Sequence, residues 1–135
     1  LALNMLNQAN LSNARMKKAI LGQASLVGTT LYRAQLQNSR LDGTDCRQAI
    51  FREANLENVN FKGANLRGAN LRGANLRGAC LVDVDLNNAD LSHVDLRHTT
   101  LTGTDLHSAI LTGAQLPKNY SLQTHTTPMA MGKTA

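Results

Sequence analysis

Three histidines lie close in sequence to carboxylates: His93 near Asp90, His98 near Asp95 and His107 near Asp105. An imidazole held by a carboxylate is the pairing that general acid–base catalysis needs, provided that several such groups converge on one reacting atom. Two cysteines, Cys46 and Cys80, are too far apart for a chelating Cys-x-x-Cys pair, and no set of three or four zinc ligands has workable spacing. Gly132-Lys133-Thr134 ends like a phosphate-binding loop, but the upstream glycine that such a loop requires falls on Thr127. Asn10-Leu11-Ser12 and Asn119-Tyr120-Ser121 match glycosylation sequons, which have meaning only in a secreted chain. These residues predict no enzyme, no cofactor and no metal site.

The charged residues have a more regular spacing. Arg47, Arg52, Glu57, Lys62, Arg67, Arg72 and Arg77 follow one another every five residues, and Asp85, Asp90, Asp95 and Asp105 keep a five-residue phase of their own. The element that positions them must therefore repeat every five residues. The phase is carried mainly by leucine: stepping by five from Leu1 to Leu116 gives twenty-four positions, of which twenty are Leu and the others are Met16, Cys46, Phe51 and Phe61. Two residues before each of these, from Ala9 to Ala114, stands a small side chain, usually Ala, with Thr, Ser or Val as alternatives. The residue between the two is often Asn or Asp, as at Asn55, Asn65, Asn75 and Asp95.

A period of five matches neither the 3.6 of a helix nor the 2.0 of a flat strand. A backbone that turns a corner in every five residues solves the problem, because the large residue and the small one two before it then both point into a narrow tube. Four faces close a square coil of twenty residues, and successive coils stack at the inter-strand spacing of ~4.8 Å. Composition agrees with such a core. Aromatic residues are 3% and Trp is absent, yet apolar residues reach 42%, so the interior is built from Leu and Ala rather than rings. No window approaches the roughly 18 apolar residues of a membrane-spanning helix.

The run Ala64-Asn65-Leu66-Arg67-Gly68, Ala69-Asn70-Leu71-Arg72-Gly73, Ala74-Asn75-Leu76-Arg77-Gly78 resembles the A-(D/N)-L-x-x consensus of the pentapeptide-repeat family. That resemblance implies an all-β protein, a right-handed quadrilateral β-helix of about six coils of four pentapeptides, about 29 Å long at ~4.8 Å per coil. The family is abundant in cyanobacteria, and many members have no known activity. Some inhibit DNA gyrase, and confer quinolone resistance, by resembling duplex DNA.

On this frame residues 1–118 form the β-helix and residues 119–135 a polar, aperiodic tail or cap, in which Tyr120 and Leu122 fold over Leu106, Leu111 and Leu116. Leu31, Phe51, Phe61, Leu66, Leu71, Leu76, Leu81 and Leu86 are expected in the internal ladder, with the two Phe rings swelling or offsetting the third coil. Cys46 is expected inside, Cys80 outside or at a corner, and no disulfide between them. Two unpaired thiols favour a reducing, cytoplasmic setting.

The candidate interaction surface comprises Arg47, Arg52, Lys62, Arg67, Arg72 and Arg77 around the waist, and Asp85, Asp90, Asp95 and Asp105 beyond it. Arg47 with Arg67, and Arg52 with Arg72, are expected to stack as like charges, and Glu57 to meet Arg77. The waist reads in two ways: a patch for phosphate or an acidic protein, or a solvated surface that keeps a Leu-rich rod in solution. Counted along the chain, residues 1–40 carry five basic residues and no acid, whereas 81–116 carry five Asp against Arg97. The rod is thus polar from end to end, which points to self-association of its ends, the opening at Leu1 having no evident cover. No aromatics interleave with the arginines, so single-stranded nucleic acid lacks a stacking platform. Duplex mimicry needs negative charge along most of the length. The expectation is a non-catalytic scaffold with an unidentified protein partner. A gyrase-directed DNA mimic and a structural domain of a larger chain stand as alternatives.

Overall fold

The computed structural model describes residues 6–120. Nearly every repeat is built in the same way. The ladder residue opens a tight turn that closes when the N–H of the small residue three positions on donates to the ladder residue's carbonyl, as from Ala14 to Leu11 and from Ala69 to Leu66, each at 3.0 Å. The second turn residue has positive φ, +57° at Asn58 and +69° at Gly68, the requirement of a type II turn and the reason that Gly and Asn recur there. At Gly68 a side chain would also strike Gln48, which lies over it from the preceding coil.

The residue after the small one bridges to its counterpart twenty residues on. Parallel bridges join Asn10 to Thr30, Thr30 to Ile50, Ile50 to Asn70 and Asn70 to Asp90, and equivalent series run at the other corners. These contacts are single rungs rather than long strands. The ladder residue's N–H donates to the next coil, Leu71 to Asp90 O at 2.8 Å, and the Asp90 N–H returns to Ala69 O at 2.9 Å. Four such corners make a square coil of twenty residues.

Four columns of ladder residues fill the axis. The first side holds Leu6, Leu26, Cys46, Leu66, Leu86 and Leu106. The second holds Leu11, Leu31, Phe51, Leu71, Leu91 and Leu111. The third holds Met16, Leu36, Leu56, Leu76, Leu96 and Leu116, and the fourth Leu21, Leu41, Phe61, Leu81 and Leu101. From Leu21 to Leu106 all of them are buried, as are the alanines beside them. Thr is accommodated in the small slot by bonding its hydroxyl to the ladder carbonyl three residues back, Thr44 to Leu41 and Thr99 to Leu96, each at 2.7 Å.

Phe51 and Phe61 were expected to swell or offset the third coil. Their rings meet edge to face, 5.6 Å apart at 83°, and the bridges flanking both, Ile50 to Asn70 and Asn60 to Cys80, are intact.

The regular ladder fails in two places. Thr104 inserts its hydroxyl between Leu81 O and Val84 N, and no bridge joins Asp85 to Asp105. A second rung is missing between Asn75 and Asp95. Three turns also differ. His98, Ser108 and Lys118 lack the positive φ of their counterparts; the carbonyls of His98 and Ser108, rather than those of the preceding residues, receive the N–H groups of Gly78 and Asn88 at 2.9 and 3.2 Å, and the last turn closes from Tyr120 N–H to Pro117 O at 3.1 Å.

At the C-terminal end of the described coil, Tyr120 acts as a cap. Its hydroxyl accepts from Leu106 N–H and donates to Thr104 C=O, each at 3.0 Å. Elsewhere both partners belong to one residue of the next coil, so a single phenol replaces a backbone rung. Burial raises the pKa of this phenol, opposed by its hydrogen bond from Leu106. Leu122 and the opening at Leu1 lie outside the described residues.

Candidate functional site

The Asn/Asp position is a structural corner. Its side-chain oxygen accepts the backbone N–H two residues on: Asn60 from Lys62 at 2.9 Å, Asn65 from Arg67 at 3.1 Å, and Asn70 and Asn75 from Arg72 and Arg77 at 3.0 Å. The candidate carboxylates do the same, Asp85 for Asn87, Asp90 for Ser92, Asp95 for Arg97 and Asp105 for His107, at 2.8–3.0 Å. One oxygen of each therefore caps a turn, and in Asp85 and Asp95 the other faces an arginine.

The fold distributes the ten candidate residues over all four sides. Arg47, Arg67, Asp85 and Asp105 lie on the first, Arg52, Arg72 and Asp90 on the second, Arg77 and Asp95 on the third, and Lys62 on the fourth. Arg47 and Arg67 line one shallow groove with Val27, Gln48, Gly68 and Asn88, but their charges are compensated. Arg47 forks onto Asp45 at 2.8 Å through both Nε and Nη2, and Arg67 lies 3.7 Å from Asp85. Arg52 reaches Glu53 at 3.8 Å, which also receives Arg33 at 3.2 Å. The expected meeting of Glu57 and Arg77 does not occur: no ion pair joins them among the described residues.

Pairing within one repeat, from the corner to the residue after the ladder, is the stronger pattern. Arg97 forks onto Asp95 at 3.0 and 2.8 Å, and this guanidinium, with the Arg97 N–H, holds the Asp95 carboxyl down at about 2. Arg47 lowers Asp45 in the same way, and Arg40 lowers Asp42 across 3.2 Å. All these pairs are largely exposed, where solvent screening leaves an ion pair little net effect on stability.

The histidines diverge, His93 on the second side, His98 on the third and His107 on the first. Among the described residues no three His, Cys, Asp or Glu side chains gather to hold a metal ion. Both cysteines are free. Cys46 is buried against the Thr44 hydroxyl, its Sγ 3.2 Å away, and burial pushes its thiol up to about 12. No described helix is long and apolar enough to cross a membrane.

The five-residue turn, the twenty-residue register and the Leu ladder define a pentapeptide-repeat solenoid. The chain belongs to that family: pentapeptide repeats match it in 8 copies between residues 5 and 116. A pentapeptide repeat protein (Rfr23) from the cyanobacterium Cyanothece 51142 is similar at 26% identity, over 83% of this chain and 86% of that one, with a TM-score of 0.56. Another, alr5209 from Nostoc PCC 7120, is 32% identical over 82% of each chain, with a TM-score of 0.55. QnrB1, a plasmid-mediated fluoroquinolone resistance protein, matches at 23% identity over 81% of this chain and 65% of that one, with a TM-score of 0.47. No match to a curated protein was found.

Proposed function

We propose that the chain is a non-catalytic interaction rod, a right-handed β-helix of about six coils whose outward turn residues bind a protein partner. The observation that carries this reading is the division of labour within the repeat. Ladder and small residues are consumed by the core, corner residues by the turns, and the chemically distinctive side chains left over diverge on four sides. Divergent groups cannot act on one reacting atom, but they suit recognition of an extended surface. The free cysteines favour a reducing compartment.

Charge argues against duplex mimicry. On the first side three Asp meet two Arg, and this is the only side with net negative charge. A surface of that kind does not reproduce the continuous negative field of DNA, so purified protein at micromolar concentration is expected to leave gyrase supercoiling intact.

Affinity capture tests the rod reading. The intact chain is compared with a variant in which Arg47, Arg52, Lys62, Arg67, Arg72 and Arg77 are replaced by Gln. A defined protein retained by the first and lost by the second supports the reading. The same proteins recovered by both, or none by either, count against it.

A further inference from the structure

Sorting the charges by side, rather than along the chain, exposes an asymmetry. The third side carries Arg15, Lys17, Lys18, Arg77, Arg97 and Lys118 against Glu57 and Asp95, a net +4, whereas the first, second and fourth sides come to −1, +1 and 0 and cancel. With Lys133 in the undescribed tail this accounts for the whole +5 of the chain.

Pairing deepens the contrast. Arg33, Arg40, Arg47, Arg52 and Arg67 on the other sides each have an acidic partner, but on the third side only Arg97 does among the described residues. One of the two broken rungs is on this side as well. Where Leu71, Asp90 and Ala69 exchange backbone hydrogen bonds, no equivalent pair joins Leu76, Asp95 and Ala74. A cleft of about 140 Å³ opens there, lined by Ala74, Asn75, Leu76, Arg77, Asp95 and His98.

We propose that the third side is the docking face of the rod, that it takes an extended acidic protein segment, and that one carboxylate of that segment enters the cleft between Arg77 and His98. The inference rests on the interaction-rod reading and names the partner's chemistry. The cleft is below the ~300–1,000 Å³ of sites that enclose small-molecule ligands, and it offers a guanidinium, an imidazole and a seam of unspent backbone groups to an anion. Asp95, the acid within it, is matched by the fork of Arg97 and does not cancel Arg77. Lys17 and Lys18 lie three coils from Arg77, roughly 14 Å at ~4.8 Å per coil, a distance that about four residues of extended chain span at ~3.4 Å each. No Phe, Tyr or Trp stands on this side between Arg15 and Lys118 to stack successive bases, which favours a peptide over single-stranded nucleic acid.

Fluorescence anisotropy at low salt with the full chain tests the proposal, using a labelled deca-glutamate peptide and, as the competing polyanion, a ten-nucleotide oligothymidylate. Two variants of equal charge change are compared, Lys17→Gln/Lys18→Gln/Arg77→Gln on the third side and Arg52→Gln/Lys62→Gln/Arg72→Gln elsewhere, with Arg77→Gln alone to isolate the cleft. All six positions are exposed, and a urea melt of each variant verifies folding. The expected result is at least a ten-fold loss of peptide affinity in the third-side triple, a measurable share of it in Arg77→Gln, less than a two-fold loss in the other triple, and weaker binding of the oligonucleotide. Equal losses in the two triples, tighter binding of the oligonucleotide, or no peptide binding by the intact chain overturns it. The capture experiment above uses a partner of any chemistry, so it judges the rod reading separately.

Discussion

Leu71 stands between Phe51 and Leu91 in the second column and is 1% exposed, whereas the next residue, Arg72, is exposed and has no acidic partner among the described residues. Replacing Leu71 by Ala removes three carbons from the axis, worth about 2.4 kcal/mol at ~0.8 kcal/mol per buried methylene. A cavity term follows, because neighbours fixed by bridges at every corner relax little, so the total should reach about 3–4 kcal/mol, within the range for core Leu→Ala changes. Asp at this position costs more, since no cation lies within the ladder to meet it. Arg72→Ala should cost about 0.5 kcal/mol or less. In urea melts, with a slope of about 1–3 kcal/mol/M, Leu71→Ala lowers the midpoint by at least about 1 M, and Arg72→Ala hardly moves it. Equal shifts from the two variants would refute the assignment of inside and outside.

Two further outcomes follow from the same structure. Tyr120→Phe leaves Leu106 N–H and Thr104 C=O without their shared partner, and should cost about 1–3 kcal/mol, read as a lower thermal midpoint; an unchanged midpoint would show that the phenol does not replace a rung. Cys80 should react with a thiol reagent in the native protein, whereas Cys46, buried and with its thiol pushed up to about 12, should react only on unfolding; equal native reactivity would contradict the buried ladder position.

The internal ladder and the small slot were legible because both obey a strict period, and the Asn58 and Gly68 turns follow from it. The role of the corner was not. Asn70 and Asp90 look like surface residues in the sequence, and only the turn geometry shows each carrying a backbone N–H two residues on. The Arg47–Asp45 and Arg97–Asp95 forks are hidden for a related reason: the twenty-residue register draws like positions together, while the competing partner lies two residues away. The third-side charge is present in the sequence, since Arg15, Lys17, Lys18, Arg77, Arg97 and Lys118 share one side modulo twenty, although along the chain they are dispersed. Nothing in the sequence announces that Thr104 opens one rung or that Asn75 and Asp95 lose another. The first is an outcome of hydrogen-bond competition between adjacent coils, the Thr104 hydroxyl taking both Leu81 O and Val84 N.

The twenty-residue register underlies every assignment of side, column and partner, and cross-linking measures it directly. In a Cys46→Ala/Cys80→Ser background, cysteines replace Ile50 and Asn70, which are bridged across adjacent coils. Neighbouring strands lie ~4.8 Å apart, inside the ~4.4–6.8 Å Cα range of a disulfide. The account predicts that this pair closes on mild oxidation and that a pair at Ile50 and Asn65, fifteen residues apart on adjoining sides, stays reduced. A bond in the second pair and none in the first would contradict the square coil.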